Sequence, residues 1–155
     1  MIRKTVIALV LCIIAGFQTV MAGNKIETKS KKMYFFGVAR NYADSTACLT
    51  DITPIDGVAI DKHTDGVTNI ELYTEQYSNF LKLKGKFGYI CATFYSDKYK
   101  DIEKIFLKQR KRLERNKGLK LDFVTNEDFK FNFVDSKQIY RNSVESTPQG
   151  EENAE

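Results

Sequence analysis

Between residues 68 and 123 the spacing of apolar residues switches from helical to alternating twice, returning to helical in between. Tyr73, Tyr77, Phe80 and Leu81 fall on one stripe of a helix. Over residues 87–95, Ile90, Ala92 and Phe94 alternate with Tyr89, Cys91, Thr93 and Tyr95, as along a strand. Ile102, Ile105, Phe106 and Leu113 return to helical spacing, and Leu119, Leu121 and Phe123 to alternation. A chain whose period changes in this way is neither all-helical nor all-β. It lays helices as crossovers on a sheet.

The boundaries carry their own signals. Thr68 and Glu71 have capping-box spacing, and Gly85 stands where that helix stops. Ser96-Asp97 caps the second helix and Asn116-Lys117-Gly118 ends it. Upstream, residues 33–39 (MYFFGVA) are apolar on both faces, as in a strand covered on both sides. Residues 46–52 read as a second strand, interrupted at Pro54. Residues 57–60 continue that strand or start a short one. Phe131 and Phe133 alternate in an expected last short strand over 130–134, after a capped turn at 125–128. The order is ββαβαβ, with room for one more short strand. The expected fold class is α/β: a two-layer sandwich in which a small mixed sheet carries both helices on one face.

The flanks divide by composition. Arg3 and Lys4 precede an apolar core over residues 6–17, and Val20 and Ala22 provide a small-residue cleavage site. Residues 1–22 therefore read as a signal peptide; a retained anchor is the rival, but the core is shorter than a span wants. Residues 23–32 form a flexible leader, 33–142 a single α/β domain, and 143–155 a disordered acidic tail. Residues 23–142 carry 22 basic and 16 acidic residues, so a basic body precedes the acidic tail. The mature chain holds Cys48 and Cys91. In an oxidising compartment they can close a disulfide; the other reading is two small buried hydrophobes.

Few constellations carry chemistry. From Lys98 to Lys120 there are ten basic and three acidic residues. Lys100, Lys104, Lys108, Lys111 and Arg115 lie opposite the apolar stripe of the second helix. This is a positive ridge for an anionic envelope component or an acidic envelope protein; the plainer reading is a solvated helix face. Nucleic acid is a poor partner for an exported chain. Tyr89 and Tyr95 are expected on the sheet face away from the helices, where aromatic side chains form an interface unless another segment covers them. Residues 61–66 (DKHTDG) open like a calcium loop, but the twelfth position is Leu72 and the third is His63. His63 is the only histidine, so a Cys–His or triad site needs it beside a serine, Cys48 or Cys91. Two scattered cysteines and one histidine lack the paired spacing of a zinc site. The carboxylate pairs Asp51/Asp56 and Glu71/Glu75 read as surface acids. Gly85-Lys86-Phe87-Gly88 is too short for a phosphate loop. No cofactor and no metal follow from these patterns.

From Asp44 onward the chain resembles a set of small exported proteins of Bacteroides-type gut bacteria. The matching stretches are Asp44-Ser45-Thr46, Leu49-Thr50-Asp51-Ile52, Glu75-Gln76-Tyr77-Ser78 with Phe80-Leu81, Cys91-Ala92-Thr93-Phe94-Tyr95, and Glu127-Asp128-Phe129-Lys130-Phe131. They span about two-thirds of the chain and include no catalytic signature, so no site residue carries over. By topology alone, residues 87–124 are similar to peptidoglycan-binding SPOR modules. The expectation is an exported, periplasmic or secreted protein that binds rather than catalyses, through the basic helix face or the aromatic sheet face. The alternatives are a small hydrolase or metal-dependent enzyme with a hidden site, and a subunit of an envelope complex.

Overall fold

The computed structural model describes residues 27–135. The expected signal peptide, most of the leader and the acidic tail lie outside the described residues. The elements are β1 (Thr28–Asn41), β2 (Thr46–Thr50), β3 (Thr53–Asp61), α1 (Ile70–Leu83), β4 (Ile90–Ser96), α2 (Tyr99–Glu114) and β5 (Lys120–Val124). They build one mixed five-stranded sheet. The α/β class matches the expectation and the order roughly does: β3 is a separate strand where residues 57–60 read as a continuation or a short strand.

β1 organises the sheet. β4 pairs antiparallel with its residues 34–40, β3 with 28–35 and β2 with 38–41. A strand has two edges, so β2 and β3 share one edge of β1 and β4 takes the other. β2 and β3 are thus one returning arm, broken at Asp51 and Ile52. Pro54 sits in β3, where it lies on the arm's outer side without a further strand beyond it. One residue of β1, Lys32, faces two of β3, Asp56 and Gly57. Gly57 has φ 77°, the conformation such a bulge requires. β5 pairs parallel with β2 on its far side.

The placing of both helices on one face does not hold. Adjacent strand residues point to opposite faces. Tyr73, Tyr77 and Leu81 of α1 pack with Met33, Phe35, Ala39 and Cys48. Ile102 of α2 packs with Phe36 and Leu49, beside Val38 and Phe94. The helices therefore lie on opposite faces. The cause is the strand order. The α1 crossover carries the chain from β3 past β1 to β4, and the α2 crossover returns it past β1 to β5. Two crossovers of one hand that traverse a sheet in opposite directions fall on opposite faces.

Other boundaries also differ. Residues 28–32, read as leader, are ladder-bonded to β3. The Thr68–Glu71 capping box is absent: Asn69 is the N-cap, with φ 56°. The Thr68 hydroxyl donates to the Ala59 carbonyl instead, tying the helix start to β3. Gly85 does end α1, where the Gly85 and Lys86 amides bond back to Lys82 and Leu81. The turn at 125–128 forms, with the Thr125 hydroxyl on Asp128. The last strand does not. Residues 129–134 pack against α1 and reach Gly57 of β3, with backbone groups bonded to the side chains of Gln76 and Tyr73. Gln76 Oε1 accepts from the Asn132 amide at 2.8 Å and Gln76 Nε2 donates to the Asn132 carbonyl at 3.0 Å. Phe131 is 3% exposed, its ring 6.0 Å from Phe35 and 6.3 Å from Tyr77.

Aromatic rings fill both faces of the sheet. Phe35 stacks on Tyr73 at 4.7 Å, and Phe36 stacks on its cross-strand partner Phe94 at 4.9 Å. Gly37 lies beside them in β1, beneath α1. A Cβ there would stand 2.6 Å from the Tyr77 ring, so only glycine permits this approach.

Candidate functional site

The basic face of α2 is built by the burial of its other side. Ile102 and Leu113 are buried, with Ile105 and Phe106 partly so. At about 100° per residue, Lys100, Lys104, Lys108, Lys111 and Arg115 fall within an arc of about 80° centred opposite Ile102. All five are exposed. The helix starts at N-cap Lys98, whose amide bonds to the Ser96 hydroxyl at 3.2 Å, so Ser96 supports the start from two residues upstream. Lys104 reaches Asp101 at 3.8 Å, a weak contact. Among the described residues, Lys100, Lys108, Lys111 and Arg115 form no ion pair. Of the acids in this region, Glu114 is engaged elsewhere: it takes the Arg110 Nε at 2.7 Å.

Tyr89 and Tyr95 are not on an open face. They share the face that α1 covers and pack partly buried against the core. The Tyr89 hydroxyl sits 2.6 Å from the Thr46 hydroxyl, and the Tyr95 ring lies 6.1 Å from Phe35. The aromatic-interface expectation fails because the sheet is covered on both faces.

Cys48 and Cys91 are free thiols. Both lie opposite Ala39, on the two flanks of β1. Two strand spacings put them about 9–10 Å apart, and a disulfide needs Cα atoms within about 7 Å. The disulfide reading therefore gives way to the buried-thiol reading. Burial raises the pKa of both thiols, although Lys86 Nζ stands 3.4 Å from Cys48 Sγ. Lys86 is held by Asp122 at 2.7 Å, an ion pair that keeps the Asp122 carboxyl below its ordinary range.

His63 lies in the exposed loop after β3, at the level of Thr28, whereas the thiols lie at the level of Ala39. At about 3.3 Å per residue these levels are roughly 36 Å apart. No Cys–His pair is assembled. The loop's Asp61 accepts the amides of His63 and Thr64 at 2.7 and 3.1 Å, which lowers its pKa. That carboxylate closes a turn and does not face a cation site. Among the described residues, no three His, Cys, Asp or Glu side chains converge as metal ligands.

Clefts open on the surface of the described residues, two of them near the titratable groups above. One of about 240 Å³ lies between β1 and the end of β4. Its Lys31 and Asp97 are paired at 3.0 Å and its Asp65 is held by Lys29. The other, of about 290 Å³, lies beside the start of α2, with Asp51, Glu103, Phe106 and Leu107 in its walls. In the first, the Ser96 hydroxyl is taken up by the Lys98 amide and Asp97 by Lys31.

Sequence reading missed a second exposed group. Tyr42, Phe87 and Ile90 are 65%, 67% and 67% exposed, at the β1–β2 hairpin, in the loop before β4 and at the first residue of β4. Alternation alone places Phe87 inside a strand. Gly85 and Gly88 flank it, both with positive φ, and they turn residues 84–89 into a loop. That pair of glycines was the available signal. Among the described residues, no helix is long and apolar enough to cross a membrane. No family model, curated protein or solved structure matches the chain.

Proposed function

We propose that this is an exported protein of the cell envelope that works by binding, docking on an anionic partner through the outward face of α2. One observation carries the reading: Lys100, Lys108, Lys111 and Arg115 stand exposed on or just after α2 with no acidic partner among the described residues. A merely solvated helix commonly spaces acids among its cations. Here the acids Asp101, Glu103 and Glu114 sit off the outward arc. Such a ridge concentrates anionic ligands and speeds encounter, and its effect decays as salt rises.

The test is retention on immobilised polyglutamate at low and moderate salt. The wild-type protein is retained at low salt and released as salt is raised. The Lys104→Glu, Lys108→Glu, Lys111→Glu triple variant passes through. Equal retention of both proteins would sink the reading.

A further inference from the structure

One end of the molecule joins this positive charge to exposed apolar side chains. It is the end where β1 stops, and hydrogen bonds bring three separate segments together there. Arg40 pairs with Ile90. The Asn41 side-chain amide donates to the Phe87 carbonyl at 3.2 Å. The Lys120 amide donates to the Ser45 carbonyl at 2.9 Å, which places the start of β5, where the connection from α2 ends, beside the hairpin. The Arg40 guanidinium lies 4.6 Å from the Tyr42 ring centre and supports it from below.

Among the described residues the charge at this end is one-sided. Its described acids are Asp44, Glu114 and Asp122. Each is taken up locally: by the Asn41 side chain at 2.9 Å, by Arg110 and by Lys86. Lys84, Lys111, Arg112, Arg115, Lys117 and Lys120 are exposed and form no ion pair among the described residues. At the opposite end Asp65, Asp97 and Glu27 are paired with Lys29, Lys31 and Lys62, so the described charges there largely balance.

We infer that this end seats on an anionic phospholipid bilayer. Tyr42, Phe87 and Ile90 enter the boundary between headgroups and acyl chains, and the surrounding cations engage the headgroups. The inference rests on the proposed role of α2 and names its partner. A bilayer fits better than an acidic protein because the apolar side chains are highly exposed on separate segments, a hairpin turn, a glycine-flanked loop and the first residue of β4. A deformable surface accepts separate projections that a rigid groove would have to match. Apolar insertion combined with basic attraction is the usual composition of an interfacial contact.

The chain contains no tryptophan, so Phe87→Trp introduces a single fluorescent reporter at the tip. The expected result is a blue shift of its emission on vesicles of phosphatidylcholine with one-quarter phosphatidylglycerol, and none on phosphatidylcholine alone. Phe87→Ser with Ile90→Ser is expected to weaken binding to the anionic vesicles by about tenfold or more. Its retention on polyglutamate stays unchanged, and an unchanged far-ultraviolet circular dichroism spectrum reports that the variant is folded. An unshifted emission of the Phe87→Trp variant on anionic vesicles overturns the bilayer inference, as does equal vesicle binding by the double variant. If wild-type retention on polyglutamate persists in either case, the anionic reading of α2 stands and an acidic protein becomes its partner. If the wild-type protein is not retained either, both fall.

Discussion

Gly37 has no room for a side chain. Its amide donates to the Thr50 hydroxyl at 2.8 Å and the Tyr77 ring covers its Cα. Gly37→Ala forces either the strand or α1 to shift, and overpacking of this kind costs about 1–3 kcal/mol. Urea unfolding should show the loss as a lower midpoint with an unchanged slope. In the sequence this glycine sits unmarked inside MYFFGVA, because only the partner ring across the core gives it a role. The basic residues of α2 were legible for the opposite reason. Their place follows from helical period alone and needs no knowledge of what lies across the sheet.

Each helix shows its buried and its exposed side as separable functions. Ile102 is fully buried between Phe36 and Leu49. Ile102→Ala should cost about 2–5 kcal/mol, whereas the Lys104, Lys108 and Lys111 to Glu changes fall on the exposed face and should each change stability by about 0.5 kcal/mol or less. Thermal unfolding compares the two. Residues 129–134 are an element that alternation misread. Phe131 and Phe133 do alternate, but the side chains of Gln76 and Tyr73 satisfy this backbone and no neighbouring strand does. Phe131→Ala should destabilise by about 3–5 kcal/mol, more than a terminal strand would suggest, because its ring lies against Phe35 and Tyr77. The helices and β4 were readable because period and length agree within each. The faces they occupy were not, because the side of the sheet depends on the order of strands, which no local pattern encodes.

The whole molecule carries opposite titration limits. Lys partners lower the pKa of Asp65, Asp97 and Asp122, and turn amides lower that of Asp61. A depressed carboxyl stabilises the fold above its ordinary value of 3.8, and that contribution is lost as pH falls below it. Burial raises the thiols of Cys48 and Cys91, so the unfolded chain ionises first and stability declines above the ordinary value of 9.0. Urea midpoints measured from about pH 3 to about pH 10.5 should therefore be flat near neutrality and fall on both sides. High salt should blunt the acid limb, because its ion pairs are exposed. Cys48→Ala should shrink the alkaline limb. The centrality of β1 has a further consequence, in time instead of space. A chain synthesised from its N-terminus delivers β1 among its first described residues and Phe131 among its last, yet these meet in one core. The earliest strand waits for β4 to bond its second edge and for residues 129–134 to close over α1. Until then no half of the protein can mature alone, so the nascent chain stays pliable for nearly its entire length and then folds as one unit.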